Sequence, residues 1–378
     1  ASTLRNAKFI SIFNTHATLS NVVTLRHTDG VISNRLMRAT LAPSESIVWD
    51  EGRGWQRLNT DGVVVSQGDT GPVDVQTFSA TGTWNKPTAF VPTQVLVKIW
   101  GPGGGGGGGG AVASTTSCKG GAGGGGGACA VKYFLASELA EAETVTLGAG
   151  GSGGIGNLSA AGSNGGNSTF SSFGSRLFAF GGGGGTGGAI TGVNTLSGGG
   201  GGTGSAAVLN AAGLPVGFFE GGGSAGTAAN TLITVTEFGG NPGVGTSLSS
   251  FSNQQNTGLG AVFGGSGGGC AGYRDLITSN QAVGPNRTQQ ACGRFPGGAG
   301  VTGVIPTAGS AGAAGNSIWG GSGGGAGGNS QDAAVNGGAG GAGGQGGGGG
   351  GGGGLTIAGN TGGAGGAGGD GYCVVISW

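Results

Sequence analysis

Eight consecutive glycines, Gly103–Gly110, follow directly on the apolar run "VLVKIW" and a Gly-Pro pair. A nine-residue run, Gly346–Gly354, and three runs of five, Gly123–Gly127, Gly181–Gly185 and Gly198–Gly202, repeat the theme. No other feature restricts the fold as much. Glycine loses more backbone entropy on ordering than any other residue. A solvated linker avoids that cost. The alternative is the left-handed three-residue helix that polyglycine shares with polyproline II, rising about 3.1 Å per residue without internal hydrogen bonds. Its N–H and C=O groups point outward and need partners. Helices laid side by side can satisfy one another, and only glycine lets the backbones approach closely enough. The segments "NGGAGGAGGQGG" (336–347) and "TGGAGGAGGDG" (361–371) keep a G-G-A period of three. In such a helix, glycine takes the buried edges and Ala, Gln or Asp the remaining one. The expectation is a set of bonded polyglycine II helices, with Gly103–Gly110, Gly346–Gly354 and Gly362–Gly369 among them.

Composition narrows the partners. Of 378 residues, 104 are Gly and 10 Pro, a share that in other chains signals low complexity. Net charge is zero and 8% of residues are charged, against about 25% in an average domain. Nucleic acid, which needs a basic stripe, is not an expected partner. No run of 18 apolar residues is present, so membrane insertion is not expected. The first residues, "ASTLRNAKF", show no apolar core of a signal peptide.

The chain divides by charge. Residues 1–78 hold 14 of the 30 Asp, Glu, Lys and Arg. In that part "KFISIFN", "NVVTLRH", "RLMRATL", "SIVW" and "WQRL" read as strands between turn sequences such as "TDG", "APSES" and "DEGRG". Residues 1–66 are therefore expected to form a small β-sandwich, and 67–78, with "QGDTGP", a connector of collagen-like or polyproline II character. Residues 79–378 read as one glycine-rich domain. Strand-like "TQVLVKIW", "ACAVKYFL", "ETVTLGAGG" and "NSTFSSFGSRLFAF" interrupt the glycines, and "GYCVVISW" closes the chain. The runs ending in Trp100 and Trp378 are expected to pair. The fold class is all-β: a small N-terminal β-sandwich, then a glycine-rich β-sandwich domain with polyglycine II helices.

Catalytic chemistry finds little footing. The many G-x-G-x-x-G matches lack a strand–helix context, and no G-K-S or G-K-T exists. Calcium-binding nonapeptides need an Asp per repeat, which the glycine runs lack. Both histidines, His16 and His27, lie in the first domain, so no triad is expected in the second. Glu138, Glu141 and Glu143 cluster and read as a solvated loop. The five cysteines form no C-x-x-C, so zinc is not expected. Disulfides at Cys118–Cys129 or Cys270–Cys292 and free buried thiols both remain open. The reading is a non-enzyme with no cofactor and no metal.

The succession "GTWNKPTAFVPTQVLVKIWGPGGGGGGGG", "GACAVKYFLASELAEAETVTLGAGGSGG", "GGNSTFSSF" and "GGAGGDGYCVVISW" resembles the glycine-rich domain of bacteriophage tail fibres, over about 300 residues. Residues 9–62, with "ATLAPSESIVWDEGRGWQRLNTDG", more weakly resemble small β-sandwich modules of phage virion proteins. The long apolar interruptions, such as "AAVLNAAGLPVGFFE" (206–220), depart from a pure helix stack. The resemblance implies a virion protein made in the host cytoplasm, likewise a homotrimer. It would bind other virion proteins through its N-terminal domain and a bacterial surface receptor, protein or glycan, through loops. A structural virion fibre or decoration protein without a receptor is the alternative, and an ice-binding polyglycine II protein a third reading. For receptor binding the expected residues are Tyr273, Arg274, Asp275, Arg287, Arg294 and Phe295 in "CAGYRDLITSNQAVGPNRTQQACGRFP" (270–296), with Phe218 and Phe219 as a second anchor. Arg and Tyr dominate recognition surfaces, and loops on rigid scaffolds carry binding. The competing reading buries these aromatics as a cover over the domain.

Overall fold

A computed structural model of the chain describes residues 9–28, 33–50, 54–58, 64–65, 73–111, 118–157, 162–190, 195–209, 211–214, 238–243, 261–270, 273–274, 281–282, 321, 323–327, 336–353 and 361–378. The chain forms two compact units, Ala1–Val73 and Asp74–Trp378. The fold is all-β. Strands pair antiparallel throughout, and the one helical element among the described residues is a 3₁₀ turn at Ala136–Glu138.

In the first unit β1 (Phe9–Phe13), β4 (Ser46–Asp50), β5 (Gly54–Leu58) and β6 (Val64–Val65) form a sheet in the order β1-β4-β5-β6. A hairpin of β2 (Asn21–Thr28) and β3 (Ser33–Leu41) makes the second sheet. Asn14, at the end of β1, ties the turns together. Its Nδ2 lies 3.0 Å from the carbonyls of Leu19, Leu41 and Ala42. Its Oδ1 accepts from the His16 N–H at 3.1 Å and from Asn21 Nδ2 at 2.7 Å. Asn14 is buried, so its removal leaves several buried polar groups without partners. Asn14→Ala is expected to destabilise this unit by about 3 kcal/mol, read as the shift of its own transition in calorimetry.

The hydrophobic core of the second unit lies between two four-stranded sheets. One has the order β11-β9-β17-β7, with β7 Asp74–Phe78, β9 Gln94–Trp100, β11 Cys129–Leu135 and β17 Tyr372–Ser377. The other has the order β14-β13-β12-β8, with β8 Gly82–Asn85, β12 Ala142–Thr146, β13 Phe170–Phe173 and β14 Leu177–Phe180. Alternate residues of both sheets enclose one core: Val95, Val97, Ile99, Phe134, Cys373 and Val375 from the first, Trp84, Val145, Phe173 and Ala179 from the second. Trp84 meets Phe173 edge-on at 5.8 Å. The two Trp-ending runs pair as their sequences suggest, Tyr372 opposite Trp100 and Ser377 opposite Val95. One expectation needs correction. Asp74–Phe78 is not connector but the edge strand beside β17, with Phe78 packed on the core. Its alternating "DVQTF" suits a half-covered edge.

Strands pass directly into glycine helices at one end of the sheets. Among the described residues, twelve extended segments, I–XII, have backbone bonds that recur at every third residue: 101–110, 120–127, 148–157, 162–169, 181–188, 196–202, 238–243, 264–270, 321 with 323–327, 336–345, 346–353 and 361–371. Segment I shows the rule. Gly103, Gly106 and Gly109 donate to XII, at Gly369, Gly366 and Gly363. Gly104 and Gly107 donate to II, and Gly105 and Gly108 to IV. Segments III, V and XI donate to its carbonyls, through Gly151, Gly185 and Gly349 among others. Segment I thus has six neighbours, as in a hexagonal array of threefold helices. Segments II and XI also have six each, and I, II and XI touch one another. The other nine segments close a ring around these three. Among the described glycines only Gly174 and Gly346 have positive φ, so the helices share the left-handed sense of polyproline II. Gly346 sits at the third position of the turn that reverses X into XI, closed by Gly347 N–H to Gly344 at 2.7 Å. A type II turn requires glycine there.

The sheets set the register of the array. Cys129 faces Trp100 in the ladder of β11 and β9. Gly101 then donates to Ala128, Gly104 to Gly125 and Gly107 to Ala122. Each step forward on I meets a step back on II, without slip. The ladders of β9 with β17, β12 with β13 and β13 with β14 continue in the same way into I–XII, III–IV and IV–V. The hydrophobic core therefore fixes which glycine faces which.

Candidate binding surface

The end of the bundle remote from the sheets is the candidate surface. At about 3.1 Å per residue, the ten residues of segment I carry the chain roughly 31 Å from Trp100. The chain leaves the described bundle there at Ala111, Asn157, Ile190, Gly327 and Gly353, and re-enters it there at Cys118, Gly162, Thr195, Asn336 and Thr361. Several connections thus open at one end, held by the same array.

Three short strands lie at this end: β10 (Cys118–Lys119), β15 (Tyr273–Arg274) and β16 (Gln281–Ala282), in the order β10-β15-β16. Their placement follows from the glycine helices. Gly265 donates to Gly127 and Gly268 to Gly124 in the antiparallel contact of VIII with II. Arg274 then stands opposite Cys118, and Tyr273 opposite Lys119. The register continues unbroken from the polyglycine contact into a β-ladder. Tyr273 and Arg274 are thereby fixed in sequence position above the far end of VIII.

Of the residues expected from the sequence, these two have a described backbone position. Asp275, Arg287, Arg294 and Phe295 lie outside the described residues, as do Phe218 and Phe219. The segment carrying the two phenylalanines departs at Leu214 and rejoins at Phe238, both at the strand end: Leu214 accepts from Gly204, and Phe238 accepts from the Cys129 N–H. Lys119, opposite Tyr273, was not singled out by sequence; "SCKGGAGG" contains no signal that would mark it.

The remaining chemistry-bearing groups do not converge. Glu141 pairs with Lys86 at 3.1 Å, and Glu143 with Arg176 at 3.4 Å. Glu143 Oε1 also accepts the Ala140 N–H. Glu141 and Glu143 thus serve the turn around the 3₁₀ element, to which Glu138 belongs. No group of three His, Cys, Asp or Glu among the described residues is placed to hold a metal ion. Cys129 and Cys373 are free and buried, and Cys270 is buried. The Cys118–Cys129 bridge is ruled out by geometry. The eleven steps between them run along segment II, roughly 34 Å of polyproline-like chain, whereas a disulfide needs Cα atoms within about 7 Å. The Cys270–Cys292 pairing lies outside the described residues, because Cys292 does. Burial raises the Cys129 thiol far above its ordinary range and pushes Cys373 up to about 12. Such thiols stay protonated and are not activated nucleophiles.

No protein-family model matches the chain, and no curated protein matches it.

Proposed function

We propose that the chain is a bacteriophage virion fibre protein whose glycine bundle presents the loop after segment VIII to a bacterial surface receptor. The observation that carries this reading is the unbroken register from II and VIII into β10 and β15. A rigid scaffold that holds Tyr273 and Arg274 at its remote end suits recognition by planar, stacking side chains. The Ala1–Val73 unit then attaches the chain to other virion proteins, and the assembled form is a homotrimer. The ice-binding reading requires a uniform flat face of Thr or Ala. The open row of segments III, XII and X is flat, but Ser152, Ile155, Asp370 and Asn336 interrupt its alanines.

An antiserum raised against the full chain tests the proposal. It is expected to bind intact particles and neutralise them before adsorption. Particles that bind the antiserum and infect normally would make the chain a structural virion component without a receptor.

A further inference from the structure

The glycine array has an open side. The ring of nine outer segments has three long rows: III–XII–X, IV–V–VI and VII–VIII–IX. No described residue of V to IX is exposed. The row III–XII–X is different. Apart from Asn157 at the far end of III, its outward residues fall at every third position: Ala149, Ser152 and Ile155 on III, Ala364, Ala367 and Asp370 on XII, and Asn336, half-buried Ala339 and Ala342 on X.

An open row of a polyglycine array resembles the edge of a β-sheet. Outward N–H groups lack a partner strand and form a template for another chain. The N–H groups of Ala364 and Ala367 have no backbone acceptor among the described residues. Some outward donors are closed by side chains. Asp370 Oδ1 accepts from Gly150 at 2.8 Å, and Asn336 Oδ1 from Thr361 at 2.9 Å. Among the described residues nothing of that kind closes Ala364 and Ala367.

The residues facing inward show what a side chain does at a helix contact. A Cβ on Gly363 would lie under 3.0 Å from the Gly338 carbonyl, one on Gly365 from Gly106, and one on Gly366 from Gly341. In each case the obstacle is backbone, which cannot swing aside. The two glycines of each G-G-A triplet in XII therefore face neighbouring helices, and the alanine faces water.

We propose that these outward alanines cap the glycine lattice: their methyl groups hold off a further glycine helix and stop the array growing sideways into a second copy of the chain. The triplet encodes both growth and its termination, glycine where a neighbour is required and alanine where one is prevented.

The test replaces Ala339, Ala342, Ala364 and Ala367 together by Gly in the full chain. Sedimentation velocity over a concentration series is expected to show lateral self-association tightened by about tenfold or more relative to the parent. The same four positions changed to Ser keep a Cβ and are expected to sediment as the parent does. Amide hydrogen exchange on each variant verifies that the bundle is formed. If the fourfold Gly variant loses protection, the milder Ala364→Gly/Ala367→Gly pair on XII decides the matter. A folded Gly variant that sediments as the parent overturns the proposal. So does a Ser variant that associates as strongly as the Gly variant.

Discussion

Gly106→Ala is expected to destroy the glycine bundle or to cost it at least about 4 kcal/mol. Gly106 lies in the middle of segment I, one of the three segments with neighbours on every side. Its N–H donates to Gly366 at 2.9 Å, and its carbonyl accepts from Gly154 at 2.8 Å. A methyl group there would lie under 3.0 Å from the Gly350 carbonyl. Relief requires segment XI to move away, which breaks the bonds from Gly349 to Gly104 and from Gly352 to Gly107. Each buried group left unpaired costs about 1–3 kcal/mol, and two broken bonds strand four such groups. That is a large part of the 5–15 kcal/mol by which a domain is ordinarily stable. Ala364→Ser, on the open row, is the control and should change stability by no more than about 0.5 kcal/mol. Denaturant unfolding of both variants gives the comparison. A Gly106→Ala protein as stable as the control would mean that the helices are not packed through their backbones.

The contrast explains how far the sequence could be read. The three-residue period in 336–347 and 361–371 announces helices with two buried edges, because most inward positions leave no room for a Cβ, buried Ala122 and Ser266 being exceptions. The pairing of "QVLVKIW" with "YCVVIS" was legible because alternating β-branched residues ending at Trp mark strands, and both strands prove buried along nearly their whole length. Segments VII and IX were not legible. They are short, and neither keeps a three-residue repeat long enough to announce a helix. Asp74–Phe78 was hidden by Gly71 and Pro72 just before it, which read as a continuing connector. The spacing of Cys118 and Cys129 misled because nearness in sequence means separation in space along a polyproline-like helix. The candidate surface was legible in composition but not in place. Tyr273 and Arg274 stand out in a charge-poor domain. Only the pairing of VIII with II, a contact between residues more than a hundred apart, puts them at the remote end.

Substitution of Arg274, Arg287 and Arg294 together by Ala is expected to lower adsorption to host cells by roughly thirtyfold or more, the scale of one lost interface hot spot. The 270–296 stretch concentrates guanidinium groups in a chain with 8% charged residues. Arg binds carboxylates and phosphates through paired donors and stacks on flat rings, which suits protein and glycan surfaces alike. Arg274 belongs to β15, whose ladder with β10 is made by backbone bonds, so its truncation leaves the strand intact. Arg287 and Arg294 lie outside the described residues, and their proposed role rests on the sequence alone. The folded state is checked separately, by amide exchange in segments II and VIII, whose register carries the loop. Protection there should match the parent while adsorption falls. An Arg274→Lys variant keeps the charge and loses the planar fork, so it should recover only part of the adsorption lost by Arg274→Ala. A triple variant that assembles, keeps its protection and adsorbs as the parent does would remove this loop from the receptor site.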